Sequence, residues 1–163
     1  MIGVSSCLLG KNCTYNADNH LIKELKVLHD QGLVIDVCPE VLGGLLIPRN
    51  PAEIITWHPL KIETINHQDV TLEYVTGAKK ALEIFQKSHV DVAVLKFRSP
   101  SCGVDGVYDG TFSHQLIDGQ GVFAQLLKAS GIQVFSENQM NEFLNYIRKD
   151  ENYGSYFKNS TSI

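Results

Sequence analysis

The residues best suited to chemistry in this 163-residue sequence are its four cysteines, Cys7, Cys13, Cys38 and Cys102. Three of them stand just beyond apolar runs, in the polar, Gly- and Pro-containing stretches "SSCLLG", "DVCPE" and "SPSCG". A reduced thiol in such a place has two readings. It is either a small buried hydrophobe or a ligand for a soft metal centre, zinc or an iron-sulfur cluster. A closed structural zinc site normally takes a fourth protein ligand, often from a Cys-x-x-Cys pair, and the sequence has no such pair. Three ligands leave one coordination position open, which a substrate atom needs if the metal is catalytic. Spacing alone leaves both readings standing.

Other chemistry offered by the same residues is narrower. A nucleophilic cysteine after the first strand would need an arginine six residues on to bind phosphate, and that position is Cys13, so phosphoryl transfer is not expected. Cys7 and Cys13 are instead a candidate redox pair. Arg49 is braced by Pro48 and Pro51, which restrict the backbone on either side; it either aims its guanidinium at a site or holds a loop carboxylate such as Glu53. The six histidines form no metal-ligand spacing with one another.

The elements that must position these thiols follow from periodicity. Four apolar runs, at 1–5, 33–37, 90–96 and 132–136, read as buried strands. Between and after them lie four helical patterns. The first carries Leu21, Ile22, Leu25 and Leu28 and stops at Gly32; the second, over about 70–88, carries Val75, Ala78, Leu82 and Phe85. The third ends at Gly131, and the fourth opens with Ser136 and Gln139, a capping box, ahead of Phe143, Leu144 and Ile147. "LKIETI" at 60–65 is an extra strand or part of an excursion. Alternating strands and helices predict an α/β fold: a single three-layer, Rossmann-like domain over 1–149, with a mainly parallel sheet covered by helices on both faces. A polar tail, 150–163, follows. In such sheets ligands bind beyond the carboxyl ends of the strands, where Cys7, Cys38 and Cys102 fall.

Bulk properties narrow the function classes. The chain is long enough to bury roughly 70% of its unfolded surface. Its net charge of −4 disfavours a nucleic-acid partner, which asks for a basic surface. No window approaches the roughly 20 apolar residues of a membrane span, and no basic, apolar leader opens the sequence. A cytoplasmic protein with reduced thiols, a monomer or small homo-oligomer, is expected.

Four segments together, "SSCLLG", "CPEVLGGLLIPRNPAEI", "LKFRSPSCG" and "YDGTF", resemble over roughly residues 1–147 a bacterial domain-of-unknown-function family whose characterised type is thiouracil desulfidase. The resemblance implies a 4Fe-4S cluster held by Cys7, Cys38 and Cys102, with one open iron to take sulfur from a thiolated pyrimidine. It also implies an acid-base role for Glu40 and a substrate-contacting role for Ser99, with Ser101 as a further substrate-binding candidate. Where many relatives read Arg-Tyr-Asp-Gly after the first motif, this chain has Thr14, Tyr15, Asn16 and Ala17. The alternatives are a non-catalytic cluster- or metal-binding sensor or interaction protein, and a thiol redox protein using Cys7 and Cys13.

Overall fold

Two four-residue runs, Ile2–Ser5 and Val92–Leu95, are buried at every position, as strands covered on both faces must be. They form the middle of the sheet. The computed structural model describes residues 1–151, 153 and 154. Along the chain lie β1 (Ile2–Ser5), a 3-10 turn (Ser6–Leu9), α1 (Lys23–Asp30), β2 (Val34–Val37), α2 (Pro39–Leu42), β3 (Ala52–Trp57) and β4 (Leu60–Thr64). They are followed by α3 (Thr71–Lys87), β5 (Val92–Leu95), β6 (Val107–Tyr108), β7 (Leu116–Ile117), α4 (Val122–Ala129), β8 (Gln133–Ser136), a second 3-10 turn (Glu137–Gln139) and α5 (Met140–Lys149).

The main sheet has the order β2-β1-β5-β8 and is parallel throughout, with Ile2 level with Val34 on one side and with Val92 on the other. Alternate side chains feed two cores, as a period of two requires. Ile2, Val4, Val92 and Val94 pack with Leu25, Leu28, Phe143 and Ile147 of α1 and α5. Ala93 and Leu95 pack with Phe85 and Phe123 of α3 and α4 on the opposite face. The expected three-layer α/β architecture is therefore present. Among the described residues no helix is long and apolar enough to cross a membrane.

Some expectations shift in detail. The first helix begins at Lys23, and Leu21 is half exposed rather than part of its apolar face. The capping box at Ser136 and Gln139 forms, but it caps the 3-10 turn that leads into α5. The unplaced segment at 60–65 is β4, which pairs antiparallel with β3 outside the main sheet; the two cover a small third core of Ile54, Ile62, Val70 and Tyr74. Tyr153, in the expected polar tail, is buried and donates its hydroxyl to Asp91. Residues 152 and 155–163 of that tail lie outside the described residues.

The short helix α2, which follows Cys38 and carries Glu40, rides directly on α3. A Cβ on Gly77 would sit 1.9 Å from the Pro39 carbonyl oxygen, and one on Gly43 would sit 2.0 Å from the Glu73 carbonyl oxygen. Alanine is the better helix former by about 1 kcal/mol, but overpacking costs about 1–3 kcal/mol or more, and both clashes are with backbone. Gly77→Ala is therefore expected to destabilise on balance and to lower the melting midpoint by a few degrees, at roughly 2–4 °C per kcal/mol for a chain of this size. A thermal melt that overlays the parent's would show that the two helices do not approach this closely.

Candidate active site

Each of the three strand-end thiols is set in place by the turn that follows its strand. Cys7 lies in the 3-10 turn after β1, which ends at Gly10 with a left-handed φ of 84°. The chain then loops back, and the His20 amide donates to the Cys7 carbonyl oxygen at 2.8 Å. Cys38 directly follows β2 and precedes Pro39, the first residue of α2. Cys102 sits in the loop after β5, pinned by the start of α4: Val122 N–H donates to the Pro100 carbonyl and Phe123 N–H to that of Ser101, each at 2.9 Å. Backbone donors orphaned at a helix start thus fix the loop.

All four cysteines are unpaired thiols. Cys13, brought round by the returning loop, joins the group. Its thiol hydrogen-bonds with Cys38, which favours the thiolate, but contact with Cys7 and burial oppose this more strongly and push it up to about 11. The Cys38 thiol is raised by its contact with Cys13 and then by burial. It also donates to the Cys13 carbonyl oxygen at 3.8 Å. The Cys102 thiol is raised chiefly by burial, against the pull of a hydrogen bond with Ser5, and feels the charge of Cys38. Cys7 packs with the α1/α5 core, Cys102 with the α3/α4 core, and Cys38 against the first. The thiols thus straddle the carboxyl edge of the sheet. Among the described residues no three Cys, His, Asp or Glu side chains close around a point as a single metal ion requires.

Glu40 joins the thiol-bearing loops to one another. Its Oε1 accepts from Ser99 Oγ at 3.1 Å. Its Oε2 accepts from Arg49 Nε at 2.7 Å, with Nη2 of the same guanidinium in ion-pair contact at 2.7 Å. The ion pair is largely buried, with side chains 13% and 9% exposed. Removing one partner of such a pair leaves an uncompensated charge, so both are committed. Arg49 also donates to the carbonyls of Cys13 at 2.8 Å and Leu46 at 3.2 Å. Arg49 thus holds a carboxylate, as one of the two sequence readings has it, but that carboxylate is Glu40. Glu53 is not its partner; that buried carboxylate accepts from Gly110 and Phe112 N–H at 2.9 and 3.0 Å, tying β3 to the "YDGTF" segment.

Ser99 spends its whole hydrogen-bonding capacity locally, since a hydroxyl has one proton and two acceptor sites. It donates to Glu40 and accepts from Ser101 N–H and Cys102 N–H, both at 3.1 Å. Ser101, by contrast, is 1% exposed and its hydroxyl has no hydrogen-bond partner. The segment at 14–17 keeps its turn by local bonds: Thr14 Oγ1 donates to Asn16 Oδ1 and accepts from Asp18 N–H, while Ala17 takes a left-handed φ of 59°.

Sequence reasoning missed Tyr74. It occupies an ordinary apolar position of α3, yet its phenol is raised by burial and by the charge of Glu40, with which it hydrogen-bonds. Nothing in the local pattern marks it. Tyr74 and Arg49 line a cavity of about 320 Å³, with Leu45, Gln68 and Glu73 among its other walls. Ser5 was also missed, although it stands two residues before Cys7 in the first motif.

A parallel α/β sheet with thiols at its carboxyl edge and a clamped carboxylate between them defines the class. The chain belongs to the 2-thiouracil desulfurase family, whose model matches residues 2–139. It is 43% identical over 151 residues to the uncharacterized protein YbbK of Bacillus subtilis (strain 168), covering 88% of this chain and all of that one. A solved structure titled as the 4Fe-4S-dependent thiouracil desulfidase TudS superposes with a TM-score of 0.81 at 39% identity, covering 86% of this chain and 93% of the other. These matches agree with the expected family and make the chain a thiouracil desulfidase-like enzyme.

Proposed function

We propose that the protein removes sulfur from a thiolated pyrimidine such as 2-thiouracil, using a 4Fe-4S cluster held by Cys7, Cys38 and Cys102. The observation that carries the reading is that Cys38 and Cys102, from two of three neighbouring strand ends, lie near the largely buried Glu40 carboxylate, while Cys7 joins the group through Cys13. The donor set fits the group. Soft thiolates suit iron-sulfur clusters, and a cube spreads its ligands over separate irons, so it asks for wider spacing than a lone ion. Crowded, protonated thiols are raised by one another and by burial, a penalty that a cationic centre relieves as it displaces their protons. A buried hydroxyl without a partner lies beside the Cys102 ligand.

When bound, the cluster supplies an open iron that polarises the carbon-sulfur bond as a Lewis acid. The remaining steps belong to the chain. Arg49 and Ser99 hold the Glu40 carboxylate from its two oxygens, so that it accepts a proton from water, or passes one to a ring nitrogen, in a fixed orientation. The cavity beside Arg49 and Tyr74 is large enough for a flat heterocycle, although its walls include none of the three thiols, Glu40 or Ser99. The water oxygen replaces sulfur at the ring carbon, and both water protons leave as hydrogen sulfide, with no net electron transfer. In this arrangement Ser99 positions Glu40 and the Cys102 loop, and contacts substrate only by giving up one of its present bonds. A Cys7–Cys13 redox role gains no support from Cys13, whose thiol at about 11 lacks the lowered pKa of a reactive cysteine.

Anaerobic reconstitution with iron and sulfide, followed by addition of 2-thiouracil, tests the reading. Broad visible absorption, loss of the thiocarbonyl band and release of stoichiometric sulfide are expected. A coloured protein that leaves 2-thiouracil and other thiolated pyrimidines intact would point to a sensor, and a colourless zinc-loaded one to a structural site.

A further inference from the structure

One short segment, Arg49 to Glu53, ties the thiol-bearing loops together. At its first residue, the Arg49 main-chain N–H donates to the Tyr15 carbonyl and Nη2 to the Cys13 carbonyl, each at 2.8 Å, on the loop that follows Cys7. The same guanidinium holds Glu40, two residues beyond Cys38. At its last residue stands Glu53, only 6% exposed. A carboxylate so far out of water needs hydrogen-bond donors, and Glu53 finds them in the backbone: its Oε2 accepts from Gly110 N–H at 2.9 Å and from Phe112 N–H at 3.0 Å. Gly110 and Phe112 are both left-handed, with φ of 87° and 57°, so their N–H groups form a concavity of the kind that receives an anion. Such a conformation is unusual for phenylalanine and persists where its surroundings impose it. The approach is also close, since a Cβ on Gly110 would sit 2.7 Å from the Ile54 carbonyl oxygen.

The clamped residues continue from a stretch that packs on the Cys102 loop. Val107 bridges to Arg98. A Cβ on Gly103 would sit 2.7 Å from the Ser99 carbonyl oxygen and 2.8 Å from both the Gly106 carbonyl oxygen and Val107 Cγ1, and one on Gly106 would sit 2.8 Å from the Phe97 ring. We infer that Glu53 is a positioning residue: through one carboxylate oxygen it fastens residues 106–112 onto the loop that carries Ser99 and Cys102, keeping that loop closed beside Glu40 and the other thiols. What the loop is positioned for rests on the cluster reading above. Because both bonds end on a single oxygen, the neutral amide oxygen of glutamine, with its two acceptor sites, can replace it. Aspartate, shorter by one methylene, cannot reach as far.

The test is pulse alkylation of metal-free wild type, Glu53→Ala, Glu53→Gln, Glu53→Asp and Gly110→Ala with iodoacetamide, the extent at each cysteine being read by peptide mass spectrometry. Losing two hydrogen bonds that oppose local opening is expected to raise labelling of Cys102 by roughly tenfold in Glu53→Ala, with Cys7, Cys13 and Cys38 little changed. Glu53→Asp follows Glu53→Ala, and Glu53→Gln follows wild type. Gly110→Ala, which pushes the segment off β3 with Glu53 in place, reproduces the Cys102 pattern and decides if Glu53→Ala does not fold. Unchanged Cys102 labelling in folded variants overturns the assignment. So does an equal rise at all four thiols, the mark of global loosening, or a Glu53→Gln that labels like Glu53→Ala. In reconstituted protein Glu53→Ala is expected to yield iron to a chelator faster than wild type, and equal rates overturn the positioning role. A wild type that takes up no iron sinks the cluster reading and leaves the labelling pattern standing, whereas a loaded wild type beside an unselective Glu53→Ala sinks this inference alone.

Discussion

Glu40→Gln is expected to keep the iron content and visible spectrum of the reconstituted protein while turnover of 2-thiouracil falls by roughly 10²–10⁴-fold, the span that a positioned acid-base group contributes. The substitution is nearly isosteric and preserves an oxygen for Ser99 or Arg49. It removes the negative charge that accepts a proton. It also leaves Arg49 buried beside a neutral amide, and a buried charge stripped of its partner costs several kcal/mol. The substitution therefore carries a structural cost as well as a chemical one. A thermal melt separates the two: loss of turnover with a modest drop in midpoint identifies chemistry, whereas collapse of both identifies the clamp. Wild-type turnover in Glu40→Gln removes Glu40 from the mechanism.

Replacing any one of Cys7, Cys38 and Cys102 with serine is expected to strip the cluster and reduce turnover to background. Losing a partner of a metal ligand typically costs 10–100-fold in affinity, and losing a ligand itself should cost more than about 100-fold on that scale. Cys13→Ser is the informative control. Its thiol touches Cys7 and Cys38, but it follows no strand end and stands outside the proposed ligand set, so iron content should survive. The reverse pattern, with iron lost on replacing Cys13 and retained on replacing Cys102, would falsify the ligand assignment. Iron and acid-labile sulfide analysis after anaerobic reconstitution decides between them.

The cysteine positions were legible in the sequence because a parallel sheet orders its strand ends by a general rule. Apolar runs at 1–5, 33–37 and 90–96 place Cys7, Cys38 and Cys102 at one edge, and β2, β1 and β5 are adjacent in the sheet. The clamp on Glu40 was only half legible. Proline on both sides of Arg49 signalled a constrained guanidinium, but its target depends on how the 38–50 segment folds back, and neither partner's neighbours encode that. Tyr74 left no signal because its meaning lies in contacts with residues far along the chain. The β3–β4 hairpin did leave one. "AEIITW" and "LKIET" flank a two-residue connection at His58 and Pro59, a pattern of paired strands that the stronger strand-helix alternation masked.

The adjacency of β2, β1 and β5 also bears on biogenesis. A nascent chain leaving the ribosome exposes Cys7 and Cys38 early, yet β5 cannot dock beside β1, nor Cys102 follow it, until more than a hundred residues have been synthesised. No short N-terminal peptide can present the full set of thiols. On the proposed ligand set, cluster insertion is complete only once β5 has docked beside β1 and brought Cys102 to the edge.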